Sequence, residues 1–229
     1  MKSSSGAHFI ALDHIRALAA LIVLTWHFIH AINGYPVTFD YVPAIFPLAV
    51  LDEGHTGVAL FMTLSGYLFA KLLDGKSIDY RAFIWNRALR LLPLLIVVIL
   101  LVGVQKFLNG ESLVVYACSV VYGLWLPSLP NGGWSITVEF HYYLVLPLLL
   151  WMFSKSEMLP LSVVASAIFL RWFLYQQNGE IQSLAYATII GRIDQFVLGM
   201  LAYHFRTCFA GHHAVVLLVG IVFTGGYWF

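Results

Sequence analysis

The chain has 229 residues, of which 61% are hydrophobic and 10% charged, and its mean hydropathy is +0.85. A soluble domain carries about 25% charged and 45–50% apolar residues, so this chain cannot cover a water-facing surface and reads as an integral membrane protein. The net charge is +1 and the Lys and Arg residues are scattered or flank apolar segments, which excludes the basic stripe that nucleic-acid binding needs.

At ~20 residues per spanning helix, the length accommodates one all-α polytopic bundle, a single membrane-embedded domain over residues 1–229. Apolar segments separated by polar or Pro/Gly breaks fall at about 9–32, 55–73, 88–108, 113–128, 135–153, 159–175, 186–205 and 213–229. These predict about eight spans, of which 113–128 is short for a crossing. Lys2 precedes the first apolar run as in a signal peptide. Asp13, His14, Arg16, His27 and His30 interrupt that run and no small-x-small cleavage site follows, so it reads as a retained first span. Cys118 and Cys208 lie in or at the end of apolar segments without metal spacing and are expected to be buried structural thiols. Lys71, Lys76, Arg81, Arg87 and Arg90 cluster in one loop region, whereas residues 33–54 hold Asp40, Asp52 and Glu53 but no Lys or Arg. The positive-inside rule puts the basic loop, and with it the N-terminus, in the cytoplasm. The last segment runs to Phe229 with no polar flank, which predicts a truncated chain.

Ionisable side chains inside spans are costly and mark cavities or functional paths. In the first span, Arg16 and His27 are eleven residues apart, which puts them on one helix face ~16 Å apart along the axis. Asp13, three residues before Arg16, is placed to pair with it. Arg16 reads either as a snorkelling anchor or as a ligand-binding cation; His27 reads either as a bonded bundle residue or as a general base. Arg87 and Arg90, at i and i+3, project to one side of a helix start and suit bidentate contact with phosphate oxygens, or ordinary cytoplasmic anchoring. Ser135 and Glu139 share a face one turn into the fifth segment. A carboxylate there requires a partner, either a ligand or an ion pair with Arg192 or Arg171. Arg192 and Asp194, two residues apart, point to different sides and predict two separate interhelical contacts. His55, His141, His204, His212 and His213 show no ligand spacing, so no metal site is predicted.

These residues stand in ordered blocks that resemble the acyltransferase 3 family of polytopic membrane O-acyltransferases. Leu12-Asp13-His14-Ile15-Arg16-Ala17-Leu18-Ala19-Ala20 followed by His27 is similar to that family's first helix and its Arg-x10-His signature, with His14 where Gly is common. Gly57-Val58, Phe61 and Ser65-Gly66-Tyr67 resemble its second helix. Arg87-x-x-Arg90 with Pro93, Trp134-Ser135-x3-Glu139-x3-Tyr143-x3-Pro147, and Arg192-x-Asp194-x-Phe196 with Gly199 resemble later blocks.

The resemblance implies transfer of an acyl group, often acetyl, from acetyl-CoA or another acyl-CoA co-substrate. The acceptor is a hydroxyl of an extracytoplasmic carbohydrate or glycolipid, reached from a bacterial inner membrane. His27 is implied as the catalytic histidine with Glu139 in the same core, and Arg16, Arg87 and Arg90 as donor-binding residues. Asp13, Ser65, Trp134, Ser135, Arg192 and Asp194 are implied as structural or positioning residues, and no tightly bound cofactor is expected. Family cores have about ten spans, so eight would leave this one incomplete at the C-terminus. A transporter or exporter of a small solute, and an inactive truncated acyltransferase, are the alternative readings.

Overall fold

The computed structural model describes residues 9–29, 31–32, 35–36, 54–76, 79–130, 132–179 and 182–225. Among these the helices are α1 (Ile10–Ile29), α2 (Gly57–Leu73), α3 (Tyr80–Leu108), α4 (Leu113–Tyr122), α5 (Trp134–Lys155), α6 (Leu159–Asn178), α7 (Gln182–Ala187), α8 (Ile189–His204), α9 (Arg206–Phe209) and α10 (His213–Gly225). A 3-10 turn, Gly54–Thr56, leads into α2. The regular structure of the described residues is helical apart from a two-residue antiparallel ladder that sets Ala31 opposite Pro36 and Ile32 opposite Tyr35. Four helices, α1, α3, α5 and α6, are long and apolar enough to cross a membrane, while α2 and α4 are apolar but shorter.

Local chemistry sets the helix ends. Asp79 caps α3: its carboxylate accepts from the Ala82 amide at 3.2 Å and its carbonyl from the Phe83 amide at 2.9 Å, satisfying donors that have no intrahelical partner. The apolar run begins near 88, but the helix begins two turns earlier at this cap. Arg81 therefore stands in the first turn of α3, and Arg87 and Arg90 lie inside the helix and not at its start. Ser112 caps α4, and at the other end the Gly123 amide still bonds to the Ser119 carbonyl at 2.9 Å before the chain turns. Only the first ten residues of the predicted 113–128 segment are therefore helical. Gly179, at φ 70°, closes α6 in the left-handed conformation that glycine adopts without strain.

The chain forms two compact units, one of Met1–Leu72 with Leu198–Phe229 and the other of Leu73–Val197. Close helix approach at glycine builds the first. A Cβ at Gly57 would stand 2.7 Å from the Ala19 carbonyl oxygen, and one at Gly199 would stand 1.9 Å from that of Thr63. Tyr67 and Tyr203 meet edge to face at 5.5 Å, and Ala19, Met62, Phe69 and Met200 are buried. The second unit is built around α5, whose apolar window is 39% buried, against 6% for α3 and 11% for α6. Tyr142 of α5 is fully buried and stacks on Phe196 of α8 at 4.0 Å and 13°, a geometry worth ~0.5–1.5 kcal/mol beyond area burial.

Cys118 and Cys208 are both exposed, which corrects the expectation of buried thiols. Tyr116 is the buried residue of α4, and Cys118, two residues on, lies ~200° round the helix. Cys208 sits on α9, a four-residue helix with no buried residue. Exposed Leu94, Leu101 and Leu108 on α3 give that helix the apolar outward surface a bilayer solvates.

Replacing Gly199 by Ala is expected to destabilise the fold by ~1–3 kcal/mol, the usual cost of overpacking, because the methyl meets backbone that cannot move aside. Gly220→Ala, whose added methyl would meet nothing within 4 Å, is expected to leave stability within ~1 kcal/mol of the parent. Thermal unfolding of the detergent-solubilised protein checks both.

Candidate active site

In the first unit, α1 carries Asp13, Arg16 and His27. One Asp13 carboxylate oxygen accepts from Arg16 Nη1 at 3.2 Å, with the side chains 48% and 40% exposed. A pair so open to solvent contributes little to stability, and its effect is to orient the guanidinium. His27 is exposed two turns from Ala19, the buried residue of α1, and its ring meets that of Trp26 edge to face at 4.9 Å. Because α1 is one unbroken helix from Ile10 to Ile29, Arg16 and His27 keep the ~16 Å axial spacing expected of eleven residues. Ser65 is part-buried on α2. Lys2, His30, Asp40, Asp52 and Glu53 lie outside the described residues.

In the second unit, α3, α5, α6 and α8 bring the remaining residues into two groups. The first links Arg87 to Glu139 through aromatic rings. The Arg87 guanidinium lies 5.6 Å over the Phe83 ring, within cation–π range. Phe83 meets Tyr143 edge to face at 5.7 Å, and the Tyr143 hydroxyl donates to a Glu139 carboxylate oxygen. The Tyr80 hydroxyl donates to the Tyr143 carbonyl at 2.7 Å, which ties the start of α3 to α5. A hydrogen bond to a charged acceptor is worth ~1.5–3 kcal/mol, so Tyr143 holds the carboxylate in a set direction. Arg87 is half-buried, and Arg90, one turn later, is exposed. Arg87 and Arg90 thus offer planar cationic forks of the type that bind oxyanions bidentately.

The second group lies where α6 and α8 meet. Arg192, 7% exposed, sits 5.7 Å over the Trp134 ring. Asp194 accepts from Arg171 Nη2 at 2.6 Å, and Arg171 Nη1 donates to the Gly191 carbonyl at 2.7 Å. Arg192 and Asp194 therefore make two separate interhelical contacts. Arg171, open in the sequence as a partner for Glu139, goes to Asp194. Ser135 donates to the Gly132 carbonyl at 3.2 Å across the turn before α5. Between α6 and α8, a groove of about 320 Å³ is lined by Ser162, Ser166, Leu170, Ile190 and Ile193 among others. Among the described residues that line it, none is ionisable. Among the described residues no three His, Cys, Asp or Glu side chains converge as a metal site.

Sequence reasoning gave no role to Tyr80, Phe83 or Tyr143. The one usable signal was the four-residue spacing of Glu139 and Tyr143, which sets two side chains side by side on a helix. Nothing in the pattern pointed from α3 to α5.

The profile of the acyltransferase domain family, Acyl_transf_3, matches residues 9–229, a stretch that takes in every residue of both groups and of α1. The chain belongs to the acyltransferase 3 family. Among curated relatives, peptidoglycan O-acetyltransferase OatA of Listeria monocytogenes is 25% identical, with the match covering 63% of this chain and 24% of the relative. The putative peptidoglycan O-acetyltransferase YrhL of Bacillus subtilis is 24% identical, covering 82% of this chain and 32% of the relative. The match thus takes in only about a quarter to a third of the length of these relatives. No solved structure matches.

Arg171→Met is expected to destabilise the protein by ~3–5 kcal/mol, because it leaves the Asp194 charge buried without its partner. Adding Asp194→Leu is expected to recover most of that loss. Unfolding of the two single variants and the double variant in detergent measures the coupling, and additive losses would show that the pair is energetically unimportant.

Proposed function

We propose that this protein moves an acyl group, with acetyl as the first candidate, from a cytoplasmic acyl-CoA to a hydroxyl of an extracytoplasmic carbohydrate of the peptidoglycan class. The observation that carries the reading is the family match over residues 9–229, which includes the Arg16 and His27 pair together with Arg87, Arg90 and Glu139. The acceptor class rests on the relatives' names, peptidoglycan O-acetyltransferases. The membrane is a bacterial inner membrane with the N-terminus cytoplasmic, supported by the basic residues between 71 and 90. Segments 55–73, 186–205 and 213–229 count as further spans in addition to the four long helices.

In this reading Arg87 and Arg90 of the second unit bind the diphosphate of the donor at the cytoplasmic side, with Arg87 preset by the Phe83 ring, and Arg16 is the donor-binding residue of the first unit. The ~16 Å from Arg16 to His27 is comparable to a pantetheine arm, so the thioester reaches the imidazole. His27 accepts the proton of the acceptor hydroxyl as its oxygen attacks the thioester carbonyl. The C–S bond breaks, and the thiolate leaves with the proton returned from the imidazolium. Glu139, held by Tyr143, supplies fixed negative charge in the second unit.

With labelled acetyl-CoA and membranes containing the protein, His27→Ala is expected to lower transfer by ~10²–10⁴-fold, the usual contribution of a general base. Arg90→Ala is expected to act mainly by raising KM for the donor. Transfer that survives His27→Ala unchanged would remove the histidine from the mechanism.

A further inference from the structure

α4 is too short to cross a bilayer. Its ten residues rise ~15 Å, half of a hydrocarbon core of ~30 Å. Tyr116 sets its level beside α3. The Tyr116 hydroxyl donates to the Ile99 carbonyl at 2.8 Å, and its ring edge lies 3.1 Å from where a Cβ of Gly103 would stand. The uninterrupted apolar run of α3 is 91–104. Tyr122, six residues and ~9 Å beyond Tyr116, therefore ends α4 beside the middle of that run and not at its far end.

Backbone that leaves a helix at this depth is viable only where protein covers it or water reaches it. Within residues 123–130 the Gly123 and Leu124 carbonyls meet the first condition with dedicated donors, whereas residues 124–127 have exposed side chains and depend on the second. Thr137, 7% exposed, donates to the Gly123 carbonyl at 2.6 Å. His141 Nε2 lies 2.9 Å from the Leu124 carbonyl, which requires the N–H form at that nitrogen. Ser128 donates to the Ser119 carbonyl at 2.6 Å, and Trp125 stacks on His141 at 5.8 Å and 26°. A turn emerging in water would need none of these clasps.

Charge along the chain gives an independent argument. With α5 crossing and α4 not, Lys155 falls on the same face as Arg81. If α4 crossed, it would fall on the opposite face with Lys106. Lys and Arg accumulate on one face, the cytoplasmic one, and only the first count does this.

We infer that residues 113–130 form a re-entrant half-helix. It enters from the face that carries residues 109–112, turns back at mid-bilayer on the Thr137 and His141 clasps, and lines a water-filled cavity open to that face. Under the function proposed above, on which this last clause rests, the cavity admits the polar, hydroxyl-bearing acceptor toward α5. The re-entrant path itself does not depend on that function.

Single cysteines placed in the full chain on a Cys118→Ser, Cys208→Ser background test it, using a membrane-impermeant maleimide on sealed vesicles. Asn109→Cys marks one face and Lys76→Cys the other. Pro127→Cys is expected to be labelled from the Asn109 face, and Ser156→Cys to stay protected with Lys76→Cys until detergent is added. Labelling of Ser156→Cys from the Asn109 face, or of Pro127→Cys from the Lys76 face, would show that α4 crosses and would overturn the inference. Pro127→Cys silent from both faces would overturn the cavity. Acetyl transfer is not read in this experiment, so its outcome is separate from that of the catalytic proposal.

Discussion

Hydrocarbon offers no hydrogen bonds, so every polar group this chain carries into a membrane has to find its partner in protein. The second unit is organised around that requirement. Arg171 is satisfied by Asp194 and the Gly191 carbonyl, Glu139 by Tyr143, and the carbonyls of Gly123 and Leu124 by Thr137 and His141. Hydroxyls without a distant partner turn back on their own helix. Thr25 donates to the Leu21 carbonyl at 2.8 Å and Thr63 to that of Ala59 at 2.9 Å, which satisfies the group and leaves interhelical pairing to the charged and aromatic side chains.

Those pairings also decide where the chemistry can sit. Apolar side chains gain little from meeting one another in lipid, so association depends on close packing and polar contacts. Gly57 and Gly199 let backbones approach in the first unit, and the stacked Tyr142 and Phe196 join α5 to α8 in the second. The same α5 presents Glu139, Tyr143, Thr137 and His141 within two turns. One buried helix thus orients the candidate carboxylate and anchors the turn before it, so a change that shifts α5 reaches both.

Much of the candidate site could be read directly. The Arg16 and His27 spacing, the Arg87 and Arg90 pair and the Trp134-to-Glu139 block are short-range patterns on single helices, where 3.6 residues per turn fixes the geometry. The separate contacts of Arg192 and Asp194 were legible for the same reason. The partners were not. Arg171 could equally have served Glu139 or Asp194 in the sequence, and Phe83 carries no mark that sets it apart from the other 16 phenylalanines. Helix ends were misjudged where hydropathy and capping disagree: α3 starts at the Asp79 cap, before its apolar run, and α4 stops at Tyr122 although apolar residues continue.

The sequence by itself determined that this is a membrane-embedded helical protein, where its apolar segments lie, and which residues stand in the order of the acyltransferase 3 family. All of these depend on composition and on spacing within one helix. Tertiary structure alone decided that Arg171 joins Asp194, that aromatic rings connect Arg87 to Glu139, and that Tyr116 of α4 bonds to the Ile99 carbonyl of α3. Each of these is a contact between segments far apart in the chain, and helix periodicity carries no information about which face of one helix meets which face of another.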